Sequence, residues 1–259
     1  MSHKFLTDTG LIWRKSLRES RRDAALAFIF PVMPPLFFAV LQAVTYSDMV
    51  DLPGFPVDDY IVWIAPGAAL LPGAIGAGFT ATSTVLDARS GFLDRLRLLP
   101  VSPAAVLAGR LLFDVVRVLP AAAIVLLTTV AMGAEIRTGV PGAIAVLALT
   151  ALLSLAWNGI FYVATLRSMN PQTPMAMQPL FLPFLFLSTV YVPESLLPGW
   201  VQTISDLNPL SYMADAARGF MIEPFDWGAL AAGIAFPLAI AAATLMLAMR
   251  MWSRMNRAA

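Results

Sequence analysis

The chain alternates between long stretches without charge and short charged connections. Charge-free runs cover residues 24–47, 60–86, 118–134, 138–166, 168–193 and 227–249, with lengths of 24, 27, 17, 29, 26 and 23 residues. A helix needs roughly 18 to 20 apolar residues to cross the hydrocarbon core of a bilayer. Five runs exceed that, and the shortest extends backward to Pro103. None alternates with the two-residue period of a barrel strand, and lipid offers no water to open backbone, so the runs predict helices. The expected fold is an all-α integral membrane protein, one transmembrane domain over residues 1–259, with six spans at 24–47, 60–86, 103–134, 138–166, 168–193 and 227–249.

The connections carry patterns of their own. Residues 1–23 contain FLTDTGLIWRKSLRESRR, an apolar cluster followed by basic residues, which predicts an interfacial amphipathic helix. It fits either a topology anchor or a contact for a cytoplasmic partner. In the first span, Pro31, Pro34 and Pro35 remove backbone donors and predict a kink or an opened backbone. Gly67, Gly73, Gly76 and Gly78 in the second allow close helix contact, inside the bundle or at a dimer face. FLDRLRLL, from Phe92, reads as a short amphipathic helix ended by Pro100. It is too charged for lipid and too apolar for a free loop, and so suits a protein groove or the membrane surface.

Ser102 is the expected N-cap of the third span, with Pro103 in its first turn. Arg110, Asp114 and Arg117 then share one face of that helix and are expected to neutralise one another, as a structural ion network or as a proton or substrate relay. Residues 194–226 predict two short helices separated by Asn208-Pro209, the first a re-entrant element with Trp200. Asp215 and Arg218 read there as a helix-surface pair of small energy.

Composition sharpens this picture. Only 13% of the residues are charged and 59% are hydrophobic, which disfavours a water-soluble globule. The formal net charge of +1 gives no reason to expect nucleic acid as a partner; position is what informs. With the N-terminus inside, Lys4, Arg14, Lys15, Arg18, Arg21, Arg22, Arg89, Arg95, Arg97, Arg110, Arg117, Arg167, Arg250, Arg254 and Arg257 lie inward, leaving Arg137 and Arg218 outside. Positive residues resist translocation, so both termini are expected in the cytoplasm. The outward segments are acidic, with Asp48, Asp51, Asp58, Asp59, Glu135, Glu194, Asp206, Asp215, Glu223 and Asp226. Tyr46, Tyr60, Trp63, Tyr191, Trp200 and Trp227 are expected near the outer boundary and Trp13, Tyr162 and Trp252 near the inner one. The long basic N-terminal stretch ahead of a full-length span does not read as a cleavable signal.

Several chemistries have no residues to carry them. The sequence has no Cys, hence no disulfide or thiolate site, and its single His3 sits in the basic tail. It lacks G-x-x-x-x-G-K-[ST], H-E-x-x-H and G-x-S-x-G, and no pair of carboxylates sits mid-span. No catalytic, cofactor-binding or metal-ligating set is therefore expected. The hydropathy also shows no inverted symmetry of a repeat-built carrier.

Taken in order, these segments resemble the membrane subunit of type-2 ABC exporters, in the daunorubicin-resistance branch. The residues that carry the resemblance are Arg14 to Arg22 ahead of a proline-containing span, Ala65-Pro66-Gly67, Gly91-Phe92-Leu93-Asp94-Arg95-Leu96, Leu99-Pro100-Val101-Ser102-Pro103, Gly109-Arg110 and Asp114. Val192-Pro193-Glu194, Leu197-Pro198, Trp200, Asn208-Pro209-Leu210, Tyr212, Asp215 and Arg218 complete it. The resemblance implies a permease in a bacterial cell membrane. It implies assembly with a second, identical or related, permease and two separate cytoplasmic ATPase subunits, which alone would hold ATP and Mg. It implies ATPase-coupling residues at Arg14, Arg18, Arg89, Gly91, Phe92, Asp94, Arg95, Leu96 and Leu99, although Asp87-Ala88-Arg89-Ser90-Gly91 lacks the acidic residue common just before the glycine. An external gate would comprise Glu194, Trp200, Asn208, Pro209, Tyr212, Asp215 and Arg218. A substrate path would be lined by Phe30, Met33, Phe37, Phe38, Met177, Phe181 and Phe184, with Met175 and Phe186 beside them; Met and Phe suit hydrophobic drugs or lipids, and equally suit lipid-facing or core packing. A lipid-linked glycan or envelope-polymer exporter, and a non-transporting membrane assembly subunit, are the competing functions.

Overall fold

Proline decides which apolar runs become continuous helices. The computed structural model describes residues 2–22, 24–98, 101–222 and 227–257. Within these the chain is helical, with no strand. Helix α1 (Ser2–Ser20) precedes the first apolar run, which begins as a π-turn over Ala25–Ile29 and continues, after a break at Pro31, as α2 (Met33–Thr45). The second run is split into α3 (Tyr60–Ile75) and α4 (Phe79–Arg89). Short α5 (Phe92–Arg97) leads to two unbroken 29-residue helices, α6 (Pro103–Ala131) and α7 (Val140–Ser168). Then come α8 (Thr173–Met177), α9 (Phe181–Phe186), α10 (Gly199–Ser205), α11 (Pro209–Met221) and the long α12 (Trp227–Arg257).

Among the described residues, five helical segments are long and apolar enough to cross a membrane: Ala27–Thr45, Tyr60–Arg89, Pro103–Ala131, Val140–Ser168 and Trp227–Trp252. The run 168–193, expected as a sixth span, is not one helix. Met169 is left-handed (φ 50°), and Pro171, Pro174, Pro179 and Pro183 follow at spacings that leave no uninterrupted turn ladder. The result is α8, one 3₁₀ turn, α9 and an irregular stretch from Leu187.

Local chemistry sets the element ends. The Asp59 carboxylate accepts from Ile61 N at 3.1 Å, Ser102 Oγ from Ala105 N at 3.1 Å, and Asn208 Oδ1 from Leu210 N at 3.0 Å, so α3, α6 and α11 each start on a side-chain cap. Gly91 enters α5 at φ 71°, a left-handed turn that glycine adopts without a Cβ penalty.

Helix α3 is the axis of the fold, buried at every residue but Val62 and Ile75. Its glycines serve packing inside the chain rather than a dimer face. A Cβ on Gly67 would lie 2.8 Å from Val190, and one on Gly73 would lie 2.6 Å from the Thr150 carbonyl. The main core joins α3, α7, α9 and α11, through residues such as Ile64, Leu71, Leu149, Phe181 and Met213. A second cluster at the basic end joins Ile12 of α1 to Leu107, Tyr162 and Trp252. Helix α1 therefore does not lie free: Thr9, Ile12, Ser16 and Ser20 are buried, and Gly109 lets α6 approach until a Cβ there would sit 2.6 Å from Thr9 O. Of the aromatics expected at the boundaries, Tyr46, Trp200 and Trp227 are exposed, Trp13 is half-buried, and Tyr60, Trp63, Tyr162, Tyr191 and Trp252 are buried among protein groups.

Candidate functional site

Two helical stripes of polar residues face each other near the basic end. Thr80, Thr84 and Asp87 recur on successive turns of α4, and Arg110, Asp114 and Arg117 on successive turns of α6; all six are buried. Asp114 pairs with Arg117 at 3.4 Å and accepts from the Thr80 hydroxyl. Arg110 departs from the expected triad: it donates to Asp87, to Thr84 Oγ1 at 2.7 Å and to Ser83 Oγ at 3.2 Å. Long helical side chains lean toward their own N-terminus, which on α6 points Arg110 at the end of α4 and away from Asp114. Tyr162 of α7 closes the chain, donating to Thr80 at 2.9 Å and lying 3.2 Å from the Thr84 hydroxyl. At the surface end Lys15 of α1 donates to Asp87 at 2.6 Å and also pairs with Glu19. Hydrogen bonds thus run from α1 through Asp87, Arg110, Thr84, Tyr162, Thr80 and Asp114 to Arg117.

Arg117 ends that chain on two broken helices at once. One guanidinium nitrogen donates to Ala27 O in the π-turn at 2.5 Å, the other to Gly76 O at the α3–α4 break. Unwound backbone away from water must be satisfied internally. The remaining partners are uncharged amides: Asn158 accepts from Gly78 N at 2.8 Å, and Gln178 donates to Ile75 O at 3.0 Å and Ala77 O at 3.1 Å. Sequence reasoning passed over Asn158 and Gln178; the available signal was a lone amide inside an apolar run. Gly78 itself has φ 90° and no room for a Cβ, which would fall 2.6 Å from Pro174 and 2.8 Å from Phe161.

A second buried arginine organises the acidic end. Arg218, expected as half of a surface pair, is wholly buried. It sits 3.7 Å over the Trp63 ring, pairs with Asp215 at 2.5 Å and donates to the carbonyls of Thr189 and Val190, the latter at 3.3 Å. The irregular stretch after α9 leaves those carbonyls without helical donors, and Arg218 supplies them. Asn208 does the same for α9, donating to Phe184 O at 2.6 Å and Leu187 O at 3.1 Å. Tyr60 donates to Tyr191 O at 3.0 Å and Tyr212 to Asp206 O at 2.6 Å. Pro209 opens α11, while Glu194 and Trp200 are exposed.

At the opposite end, Arg14, Arg18 and Arg95 are exposed and Arg89 donates to Met169 O at 3.1 Å. Phe92 lies under Lys15, 4.4 Å from its ammonium, and Leu96 packs on the cluster around Ile12. Leu98 of this segment turns outward, 86% exposed. Leu99 and the Asp94 side chain lie outside the described residues. Of the residues expected along a path, Phe30, Met33, Phe37, Phe184, Met175 and Phe186 face outward, Phe38 and Met177 are half-buried, and Phe181 is core, 5.3 Å from the Trp157 ring. A pocket at the helix break, lined by Phe30, Gly78, Phe79, Met175 and Gln178, holds about 70 Å³. Sites for drug-sized ligands run to roughly 300–1,000 Å³, so this pocket alone does not enclose such a molecule. Among the described residues no three His, Asp or Glu side chains gather as a metal site.

Residues 7–222 match the family model described as "ABC-2 type transporter". Over 194 residues the chain is 28% identical to the "Daunorubicin resistance ABC transporter permease protein DrrB1" of Streptomyces coeruleorubidus, covering 74% of this chain and 66%, just under two thirds, of that protein. It is also 28% identical over 216 residues to the "Probable doxorubicin resistance ABC transporter permease protein DrrC" of Mycobacterium tuberculosis, covering 83% of this chain and 77% of the relative.

Proposed function

This chain belongs to the ABC-2 type transporter family as a membrane permease, and from that premise we propose that it forms, with a second permease copy, the translocation pathway of an ATP-driven exporter of hydrophobic drugs or lipids. Two cytoplasmic ATPase subunits supply the energy, and ATP hydrolysis belongs to them. Both termini lie in the cytoplasm of a bacterial cell. The segment from α8 to Val192 completes a sixth, broken crossing, and α10 with α11 forms a re-entrant lid held by Arg218 and Asn208. The exposed Phe30, Met33, Phe37 and Phe184 line a pathway that only the second copy encloses.

The observation that carries this reading is the hydrogen-bonded chain from Lys15 and Asp87 to Arg117 and the two helix breaks. A transporter needs a rigid path from its nucleotide-driven end to the part of the membrane that opens, and packed polar networks with two discrete arrangements serve as such paths. Closure of the ATPases displaces α1 and α5. Asp87, shared between Lys15 and Arg110, transmits the shift to α6, and Arg117 moves the broken backbones of the first two spans together.

The test is co-reconstitution with the cognate ATPase. Asp87→Asn should leave complex assembly and basal ATP turnover near wild type while transport of a fluorescent hydrophobic cargo, and its stimulation of turnover, fall at least about ten-fold, the scale of one charged hydrogen bond of roughly 1.5 kcal/mol or more. Undiminished coupled transport would refute the coupling role. A folded chain that binds no ATPase would instead favour a non-transporting membrane subunit.

A further inference from the structure

A second cavity lies between the C-terminal end of α1 and α4, about 240 Å³ in volume. Its polar end is formed by Glu19, Arg22 and Asp87, and its apolar wall by Leu86 and Phe79. Phe79 and Thr82 line this cavity and also the pocket at the Gly76–Gly78 break. The two adjoin along α4 across Phe79 and Thr82, and together they form a groove with ionic groups at one end and Phe30 and Met175 at the other. Leu86 and Met175 are 50% and 68% exposed, so the groove opens sideways from the bundle.

Length and charge identify what fits it. From Gly78 to Asp87 a helix rises about 14 Å, at about 1.5 Å per residue, close to the roughly 15 Å depth of hydrocarbon in one leaflet. The groove thus reaches from headgroup level to the bilayer midplane. At the headgroup end Lys15 and Arg110 are matched by Glu19 and Asp87, their bonding partners. That leaves Arg22, exposed and with no side-chain partner among the described residues, as the surplus charge facing the cavity. A guanidinium matches phosphate oxygens in geometry and sign.

We infer that this groove binds one phospholipid of the cytoplasmic leaflet, its phosphate on Arg22 and one acyl chain lying over Leu86 and Phe79 to end at the break in the second span. The site rests on the proposed orientation, with the basic end in the cytoplasm, and extends that reading. A bound chain would lie against the unwound turn that Arg117 and Gln178 hold together, so occupancy by lipid, and its displacement, act directly on the backbone that the polar chain moves.

Photolabelling of the full-length chain in nanodiscs of phosphatidylglycerol with a diazirine at the acyl terminus tests this without ATPase or turnover. The label should fall on peptides containing Phe79 to Thr82 and Met175 to Gln178. Leu86→Trp, which fills the apolar wall, and Arg22→Gln, which removes the phosphate partner, should each reduce that labelling about five-fold, the scale of an exposed charged contact. Both residues are exposed, and elution as a monodisperse species verifies the fold of each variant. Labelling spread evenly over outward residues of α12, and insensitive to both substitutions, would overturn the site. So would competition by inorganic phosphate equal to that by lipid, since free phosphate would then be the occupant. Because labelling and transport are read separately, loss of one with retention of the other distinguishes failure of this site from failure of the exporter reading.

Discussion

At the scale of single residues, buried arginines substitute for missing helical hydrogen bonds. Arg117 satisfies two carbonyls in different segments while its charge is balanced by Asp114. Arg117→Met would leave a buried carboxylate without its cation and should lower stability by about 3–5 kcal/mol, read as a fall in the denaturation midpoint of the detergent-solubilised chain. Arg117→Lys keeps the charge but not the planar fork, so it should recover only part of that loss. Arg218 and Asp215 form an unequal pair. Asp215 is 38% exposed, so Asp215→Asn should cost at most about 1 kcal/mol, whereas Arg218→Met strips donors from Thr189 and Val190 and should cost about 3 kcal/mol. Equal effects in the same unfolding assay would contradict the assigned geometry.

At the scale of elements, glycine and proline decide where helices stop and how near they come. Gly54 and Gly78 have almost the same positive φ, 91° and 90°, but only Gly78 is crowded. Gly54→Ala should therefore cost about 1 kcal/mol of backbone strain, and Gly78→Ala a further 1–3 kcal/mol of overpacking; similar midpoints for both variants would show that Pro174 and Phe161 yield. Gly109→Leu should push α1 off α6 and open residues 2–20 to limited proteolysis while α6 stays protected, because the nearest atoms to a side chain there, Thr9 O and the Ile12 side chain, all belong to α1. Much of this level was legible beforehand: Ser102, Asn208 and the proline-rich first span announce helix ends through local rules. The fifth apolar run was harder, because hydropathy counts Pro174, Pro179 and Pro183 as acceptable residues of a long run, while the backbone cannot carry a straight helix through them.

At the scale of the whole molecule, the arrangement joins a basic end, where α1, α4, α5 and α6 meet, to an acidic end folded around Arg218. A protein without Cys suits labelling. Single cysteines at the exposed Asp51 and Thr203 should react with an impermeant thiol reagent in intact cells and one at Ser90 only after permeabilisation; the reverse pattern would invert the orientation. Leu98, just after α5, is an apolar side chain turned outward, while Leu96 packs inward. Leu98→Asp should thus weaken ATPase association at least about ten-fold in pull-down titration without changing the chain's own unfolding midpoint. A combined loss of both would mean that the residue belongs to the core.

The sequence alone determined the class of this protein, six charge-free runs of which five hold a long apolar helix, the Ser102 cap that starts α6, and the connections at which basic residues gather. These follow from composition and from neighbours a few residues apart, where hydropathy, proline and side-chain capping act. Only the tertiary structure decided that Arg110 pairs with Asp87 across 23 positions, that Arg117 spans two separate breaks, that Arg218 is buried on Trp63, and that Asn158 and Gln178 complete an opened backbone. The reason is physical: an unpaired carbonyl or a buried charge takes whichever donor the packing brings within about 3 Å, and that proximity is a property of how α3, α4, α6 and α7 pack.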